Sequence, residues 1–472
     1  MFKTLCNRYK PALVLSLIMA ISQLIIRCER LLVYEVAGFP DTNLHYKRLG
    51  DDDVCSPRPN HKSGHYSRAY PVFYWSEQQF DAVFNICSLY IPICSTFFAG
   101  IYSDKYGGKN AVLLGLVLCV LVTSASYLVI LHNDYVFFCM LLVRKIAEGM
   151  MIAAVCSLAG KWAIPGERTA FVGILLEGKS LGHLLGGFLI RSRPSWNVLC
   201  YINACICFVT AVFWWLLFRF QYIPRPKTFK IIPWKSMAHS TSPYVLTLLI
   251  LSCTLIVSTS EQLLIYASQE LYLDVSSEQI VEVMMVSSET LAYFLCASFS
   301  DYIVSRKLLS SFALGRSITC ALFPIFYCTL LTVKAAGCSL ETVLACCVML
   351  HFVTASFLTT VNAIALEVTS AYSGVVFAII LWFSHLFDDK IRSFLSYVSG
   401  IKFSFKSWSE LFLMSAVVAT LLSLPFIFCG IKKTTWGKGV RQEDKNLPLE
   451  SASKDVASVA GNISSTTNTK KN

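Results

Sequence analysis

The sequence Gly100-Ile-Tyr-Ser-Asp104-Lys105-Tyr-Gly107-Gly108-Lys109 lies between two long apolar runs. It therefore predicts a short polar turn between two membrane spans. Gly107 and Gly108 allow one helix to end and the next to begin within a few residues. The carboxylate of Asp104 can lie against a helix N-terminus or a basic partner, and Lys109 is expected at the cytoplasmic surface. We call Gly100–Lys109 the first loop motif, and it offers a structural contact without reaction chemistry.

A second copy of this pattern lies in the C-terminal part of the chain. Ala297-Ser-Phe-Ser-Asp301-Tyr-Ile-Val-Ser-Arg306-Lys307 repeats the small residue, the acid and a basic pair. It follows the first copy by about 200 residues, roughly half of a twelve-helix transporter, as two parallel six-helix halves predict. We call Ala297–Lys307 the second loop motif. The two motifs resemble the G-x-x-x-D-x-x-G-R-K loop of the major facilitator superfamily, although Gly108 stands where that pattern has arginine.

The composition indicates a membrane protein. Hydrophobic residues make up 55% of the 472 residues and charged residues 15%, and the mean hydropathy is +0.58. The net charge of +11 is spread over loops and tails, as the positive-inside rule expects, and forms no patch for nucleic acid. Most of the 19 cysteines lie in apolar runs, where they act as small buried hydrophobes, and no pair of C-x-x-C sequences suggests zinc. We expect no cofactor, no metal and no enzymatic activity.

The chain divides into apolar spans and polar connections. We expect residues 1–10 to be a basic cytoplasmic N-terminus, and residues 11–219 to form an N-terminal six-helix half with an extracytoplasmic loop at 39–72. We expect residues 220–242 to be a cytoplasmic connector, 243–430 a C-terminal six-helix half and 431–472 a disordered cytoplasmic tail. The predicted fold is an all-α, multi-pass membrane protein of twelve helices. The membrane could be the plasma membrane or an endolysosomal or vesicular one.

Several stretches resemble solute carrier family 17, which includes sialin, vesicular glutamate transporters and sodium–phosphate cotransporters. The most specific is Gly160-Lys161-Trp162-Ala163-Ile-Pro165-Gly-Glu167-Arg168-Thr169, similar to that family's S-K-W-A-P-P-x-E-R-S loop after helix four. Arg27 and Glu148 match its helix-one arginine and helix-four glutamate. The resemblance implies an anion-binding role for Arg27 and a cation-coupling role for Glu148.

The chain also departs from this family. The helix-four arginine falls at Leu141 and the helix-four histidine at Cys156, while an arginine of the glutamate transporters falls near Thr254. Arg144 lies about one turn beyond Leu141. These replacements argue against a glutamate-specific role and favour a changed substrate.

Charged residues inside spans are costly and are candidates for function. The guanidinium of Arg27 could bind a carboxylate or phosphate in a central cavity, or it could form a structural ion pair with Glu29 or with another helix. Glu148 could be a protonatable coupling site, or it could simply pair with Arg144 at i,i+4.

The fifth span holds Glu177, Lys179 and His183. We assign Glu177 to ion coupling, and we assign His183 to substrate binding with Arg27 and Arg144. His183 could relay protons, or neighbours in the bundle could satisfy it. Three lone polar residues further on are weaker candidates: Glu261, Glu289 and His351. The charged stretch Asp388–Arg392 marks either a cavity-lining or unwound segment or a shorter span.

The sequence thus predicts a secondary transporter that moves a small organic anion or phosphate by alternating access, driven by a proton or sodium gradient or by the membrane potential. Its predicted partners are the anion, the coupling ion and the bilayer. Two alternatives remain at this stage. One is a transporter-derived receptor or scaffold that does not transport, and the other is a transporter of a non-anionic substrate.

Overall fold

The structure is a computed structural model. It describes residues 2–37, 86, 90–130, 134–164, 166–192, 196–219, 232–270, 275–336, 339–369, 372–383, 386 and 405–431. The predicted loop at 39–72, the charged stretch Asp388–Arg392, the tail from 432 and Pro165 lie outside these ranges.

The described residues contain twelve helices of at least eleven residues. They are α1 Phe2–Ala37, α2 Ile91–Tyr102, α3 Gly108–Ile130, α4 Asp134–Trp162, α5 Arg168–Arg191, α6 Trp196–Arg219, α7 Thr241–Glu270, α8 Val275–Ser305, α9 Ser311–Ala336, α10 Leu340–Thr369, α11 Ser373–Phe383 and α12 Phe405–Cys429. A π-helical segment, Ser103–Gly107, joins α2 to α3, and a five-residue helix, Trp234–Ala238, precedes α7. The all-helical, multi-pass fold predicted from the sequence is confirmed.

Most of these helices are apolar enough to cross a membrane. Eight candidate spans satisfy length and hydropathy within the described residues, and one of them, Ile93–Ser126, joins α2 and α3. Helix α11 is apolar but shorter. The two remaining helices, α4 and α5, carry the internal charges noted in the sequence, and those charges lower their hydropathy. Large apolar side chains such as Phe294 and Phe428 remain exposed on the outside, as expected where lipid is the solvent.

The helices form two groups. Helix α1 packs on α4, α5 and α6, while α3 packs on α4 and α6. In the second group, α10 packs on α7, α8 and α9, and α12 packs on α7 and α9. The main contact between the groups is α5 against α8, supplemented by α5 and α4 against α10.

Small residues bring α1 and α5 close together. Gly178 and Gly182 are four positions apart, so they lie on one face of α5. A Cβ atom at either position would overlap the backbone carbonyl oxygen of Ser16 or Ala20 on α1. The two backbones are therefore in contact, an arrangement typical of small-xxx-small pairs in membranes.

Candidate functional site

The first loop motif joins the two groups of helices through its acid. Asp104 is fully buried, and its Oδ2 accepts a hydrogen bond from the backbone N–H of Val375 at 2.8 Å. Its Oδ1 accepts from Gly374 at 3.3 Å and from the hydroxyl of Ser157 at 2.6 Å. Gly374 and Val375 begin α11, so the carboxylate lies at the positive end of that helix. Lys161 supplies the countercharge at 3.5 Å.

The second loop motif makes the corresponding contact. The carboxylate of Asp301, near the end of α8, accepts from the backbone N–H groups of Thr169 at 3.3 Å and Ala170 at 2.9 Å. Both amides lie in the first turn of α5. We call the end of the bundle that holds both acids the latch end, because each acid there binds a helix N-terminus of the other group.

The turns of the two motifs differ in backbone chemistry. Gly107 has φ 98°, a conformation that glycine adopts without steric cost. The second motif makes its turn at Lys307, whose φ of 56° is uncommon for a residue with a side chain. The remaining predicted motif cations lie against aromatic rings: Lys109 Nζ is 4.7 Å from the ring centre of Phe218, and the guanidinium carbon of Arg306 is 5.6 Å from that of Tyr302.

The loop after α4 supports the latch end. Besides pairing with Asp104, Lys161 donates to the hydroxyl of Ser157 at 3.0 Å and to the carbonyl oxygen of Ser103 at 3.2 Å. Trp162 stacks on Phe218 with ring centres 6.3 Å apart. These contacts hold the end of α4 against α2 and α6.

The acidic and basic residues of the segment after α4 make two further contacts. Glu167 accepts a hydrogen bond from the hydroxyl of Tyr9 at 3.5 Å. Arg168 pairs with Glu367 of α10 at 3.9 Å, which adds an ion pair between the two groups of helices.

Two of the three predicted substrate-binding residues lie together. The guanidinium of Arg27 hydrogen-bonds the imidazole of His183, with Nε 3.2 Å from Nδ1. Its Nη2 is 3.7 Å from a carboxylate oxygen of Glu282 on α8, and His183 Nε2 is 3.6 Å from the same oxygen. Arg27 thus pairs with another helix, and the cluster joins α1, α5 and α8.

Arg144, the third predicted residue, lies elsewhere. It is 2% exposed inside the first group of helices, where it donates to the carbonyl oxygen of Ile25 at 2.8 Å and lies 3.1 Å from Glu29. Lys145 is 3.0 Å from Glu29 and 2.8 Å from Glu148, and Arg144 is 3.8 Å from Glu148. These four residues form a buried quartet of two cations and two anions. Its formal charge is zero, which favours a structural role.

A third polar group lies at the contact of α5 and α8. Glu289 and His351, which the sequence shows as lone polar residues and weaker candidates, are in contact, with Oε1 2.7 Å from Nδ1. Helix α10 brings His351 against α8. Ser180 of α5 donates to the other oxygen of Glu289. Nearby, Glu177 accepts a hydrogen bond from Thr290 at 2.9 Å.

The sequence analysis missed Glu282 altogether. A signal was present, because Glu282, Glu289 and Tyr293 are separated by seven and four positions and so share one face of α8. That face packs on α5: a Cβ atom at Gly187 would lie 2.8 Å from the Glu282 carboxylate, and the Tyr293 hydroxyl is 3.4 Å from Ser180.

Two groups of apolar helices, joined by paired acid-to-helix contacts at one end and by a polar contact between α5 and α8, define a membrane transporter fold. The family model of the Major Facilitator Superfamily matches residues 63–387. The chain belongs to this superfamily. This agrees with the resemblance of the two loop motifs.

Similar curated proteins are transporters of anions. The chain is 22% identical over 324 residues to the mouse sodium-dependent phosphate transport protein 3, covering 63% of each chain. It is 26% identical over 174 residues to the hexuronate transporter of Bacillus subtilis, covering 36% of this chain and 39% of that protein. It is 29% identical over 112 residues to the probable anion transporter 3, chloroplastic, of Arabidopsis thaliana, covering 24% of this chain and 22% of that protein. The chain spans less than two thirds of the length of each.

Solved structures share the fold at low identity. The transporter FucP in its outward conformation aligns with TM-score 0.58 and 12% identity over 89% of this chain and 99% of that one. A bacterial homologue of the iron transporter ferroportin, in its outward-facing state with soaked iron, aligns with TM-score 0.60 and 13% identity over 88% and 98%.

Proposed function

We propose that this protein is a secondary transporter of a small organic anion or phosphate. The observation that carries the proposal is the cluster of Arg27, His183 and Glu282, in which an arginine of the first group holds a carboxylate of the second. A guanidinium presents a planar set of donors that suits carboxylate and phosphate oxygens. Transport of phosphate, hexuronate or other anions by the similar curated proteins supports the same substrate class.

In this proposal the substrate competes with Glu282 for Arg27. The side chain of Arg27 is 28% exposed and that of His183 is 43% exposed, so solvent reaches the cluster. An anion that binds Arg27 would displace the carboxylate of Glu282 on α8 and weaken the contact between the halves at 11–219 and 243–430. Substrate binding is thereby coupled to the rocking motion that alternating access requires.

The two acid-to-helix contacts complete the cycle. Asp104 and Asp301 hold the latch end closed through backbone amides of α11 and α5. Because both contacts cross between the halves, they must form and break in each cycle. A proton or sodium ion is the proposed driving ion.

The test is uptake by proteoliposomes of labelled inorganic phosphate, glucuronate, sialate, glutamate and urate under imposed proton or sodium gradients. We expect uptake of at least one anion, and loss of that uptake in Arg27→Ala with retained insertion and folding. Arg316→Ala, which removes a guanidinium on α9, is the matched control. Absence of uptake of every anion by folded wild-type protein would favour the receptor or the non-anionic alternative.

A further inference from the structure

The carboxylate–imidazole pair of Glu289 and His351 differs in kind from the buried quartet. In the quartet, the two carboxylates lie against two strongly basic side chains, those of Arg144 and Lys145. Glu289 instead lies against an imidazole, and histidine is the side chain whose charge ordinarily changes near neutral pH. The two polar groups therefore differ in the partner that faces the carboxylate.

We propose that Glu289 and His351 form a proton-binding site, and that Ser180 transmits its protonation state to the contact between the two halves. This deepens the proposed transport function and rests on it. The coupling ion of the proposed transport binds at this site, and that ion is a proton.

The hydrogen bonds of the pair leave a place for the proton. An ionised carboxylate only accepts, so His351 Nδ1 carries the hydrogen of the 2.7 Å bond to Glu289. His351 Nε2 is buried and has no hydrogen-bond partner among the described residues. With a neutral imidazole the pair therefore carries one negative charge, and the buried Nε2 keeps one vacant lone pair. Uptake of one proton makes the pair neutral, whether the proton resides on the imidazole or on the carboxyl group.

The depth of the pair suits a coupling site. Glu289 lies twelve residues from Asp301 along α8, or about 18 Å from the latch end at 1.5 Å per residue. This is about the middle of a hydrocarbon layer of about 30 Å. The side chains of Glu289 and His351 are 19% and 14% exposed, so a proton can reach a largely buried pair. Coupling-ion sites of repeat-based transporters lie near the midplane at the interface of the halves.

Ser180 links the pair to the other half. This residue is 6% exposed, and its hydroxyl donates to the second carboxylate oxygen of Glu289 across the contact of α5 and α8. A hydrogen bond to an ionised acceptor is roughly twice as strong as a neutral one. Uptake of a proton either removes the negative charge that Ser180 binds, when the proton resides on the carboxyl group, or pairs that charge with the imidazolium of His351. In both cases the bond from Ser180 weakens, which favours separation of α5 from α8.

Other titratable groups around the pair influence the pH at which the pair takes up a proton, but they are not part of the proton-binding site. Besides the pair itself, the groups that interact electrostatically with Glu289, with His183 beside it or with Tyr293 lie on α1, α5, α7 and α8. They are Arg27 of α1, then Glu177, Lys179 and His183 of α5, Cys253 of α7, and Tyr293 of α8. The contact between Arg27 and Glu282 lies about two turns further toward the other end of α8.

The first experiment needs no substrate. We would follow carboxyl and imidazole protonation by infrared difference spectroscopy of the purified protein in liposomes, between about pH 5 and pH 8. We expect the wild type to show a protonation step of the pair that is absent in Glu289→Gln and that occurs at a different pH in Ser180→Ala. Glu261→Gln, which changes an exposed carboxylate of α7, is the matched control and should leave it unchanged. An identical titration in the wild type and in Glu289→Gln would overturn the proposal.

A second variant guards against misfolding. His351→Asn keeps a donor near Glu289 but removes the titrating ring, so a folded His351→Asn protein should also lose the titration. If the folded variant retains it, the imidazole is not part of the site and the proposal fails.

A transport assay separates this proposal from the proposed function. In liposomes loaded with inorganic phosphate or glucuronate, Glu289→Gln should retain exchange of labelled anion at equal pH. Accumulation of the anion by this variant under a proton gradient should be about 5-fold to 150-fold lower than in the wild type, the usual range of a coupling between two sites. A wild type that moves no anion but shows the Glu289 titration would overturn the proposed substrate and support the proton site. A wild type that accumulates anion, with Glu289→Gln accumulating equally, would overturn the proton site alone.

Discussion

The carboxylate of Asp104 accepts a hydrogen bond from the backbone N–H of Val375 at 2.8 Å, and this bond joins the π-helical segment after α2 to the start of α11. Asp301 repeats the arrangement in the opposite sense, since it accepts from Ala170 of the first half at 2.9 Å. Each half thus supplies one acid and one helix N-terminus. Two equivalent contacts close the same end of the bundle.

Replacing Asp104 by asparagine should open the latch end. The variant loses the attraction between a carboxylate and the start of α11, up to about 2 kcal/mol in a buried site, or about a thirtyfold shift between closed and open forms. Energy transfer between dyes on non-canonical residues at the exposed positions Tyr106 and Ser310 would measure the opening. Lys105→Gln, which changes the exposed neighbour of Asp104, should leave the distance distribution unchanged. An unchanged distribution in Asp104→Asn would show that the contact does not hold this end closed.

Replacing Gly100 by valine should prevent closure of the latch end by steric means. A Cβ atom at Gly100 would lie 2.5 Å from the carbonyl oxygen of Gly374, so α2 and α11 could no longer touch. We expect a cost of about 1–3 kcal/mol to the closed form, with the same dye pair reporting separation. Gly173→Ala is the control, because its Cβ would meet Tyr293 at the looser distance of 3.3 Å. Equal closure in the two variants would contradict this account.

The buried quartet should act as a structural unit. Glu148→Gln leaves Arg144 and Lys145 facing a single carboxylate, and breaking a buried ion pair costs about 3–5 kcal/mol. The double variant Glu148→Gln/Lys145→Met restores neutrality and should recover part of that loss, about 0.5–3 kcal/mol. Unfolding of the detergent-purified protein, followed by intrinsic fluorescence, gives both values. If Glu148→Gln is as stable as wild type yet loses gradient-driven uptake, Glu148 is a coupling residue, as the family resemblance implied.

Removing the carboxylate of Glu282 should tighten anion binding. In Glu282→Gln the substrate no longer competes with an ion pair that is partly exposed and worth about 0.2–1 kcal/mol. The half-saturating concentration of phosphate or glucuronate should therefore fall by about 1.4-fold to fivefold. Glu341→Gln, at the start of α10, is the control. A rise in that concentration would instead mean that Glu282 contributes to substrate binding.

The sequence by itself predicted the apolar helices and the two acids that the structure places against helix N-termini. Apolar runs of sufficient length have few alternatives to a helix in lipid, because every backbone polar group must be satisfied within the segment. The glycines and the acid of the first loop motif are local signals of the same kind. They therefore identified Gly107 and Asp104 without reference to the rest of the chain.

Only the tertiary structure decided which charges meet. Arg27 could be assigned to a cavity or an ion pair on equal grounds, and its partner Glu282 is 255 positions away in the sequence. Glu289 and His351 read as isolated residues because periodicity within one helix does not show which helix lies opposite. Nothing in the sequence of α4 shows that α1 places Glu29 beside Arg144. The physical reason is that helix formation depends on neighbouring residues, whereas the partner of a buried charge depends on how distant helices pack.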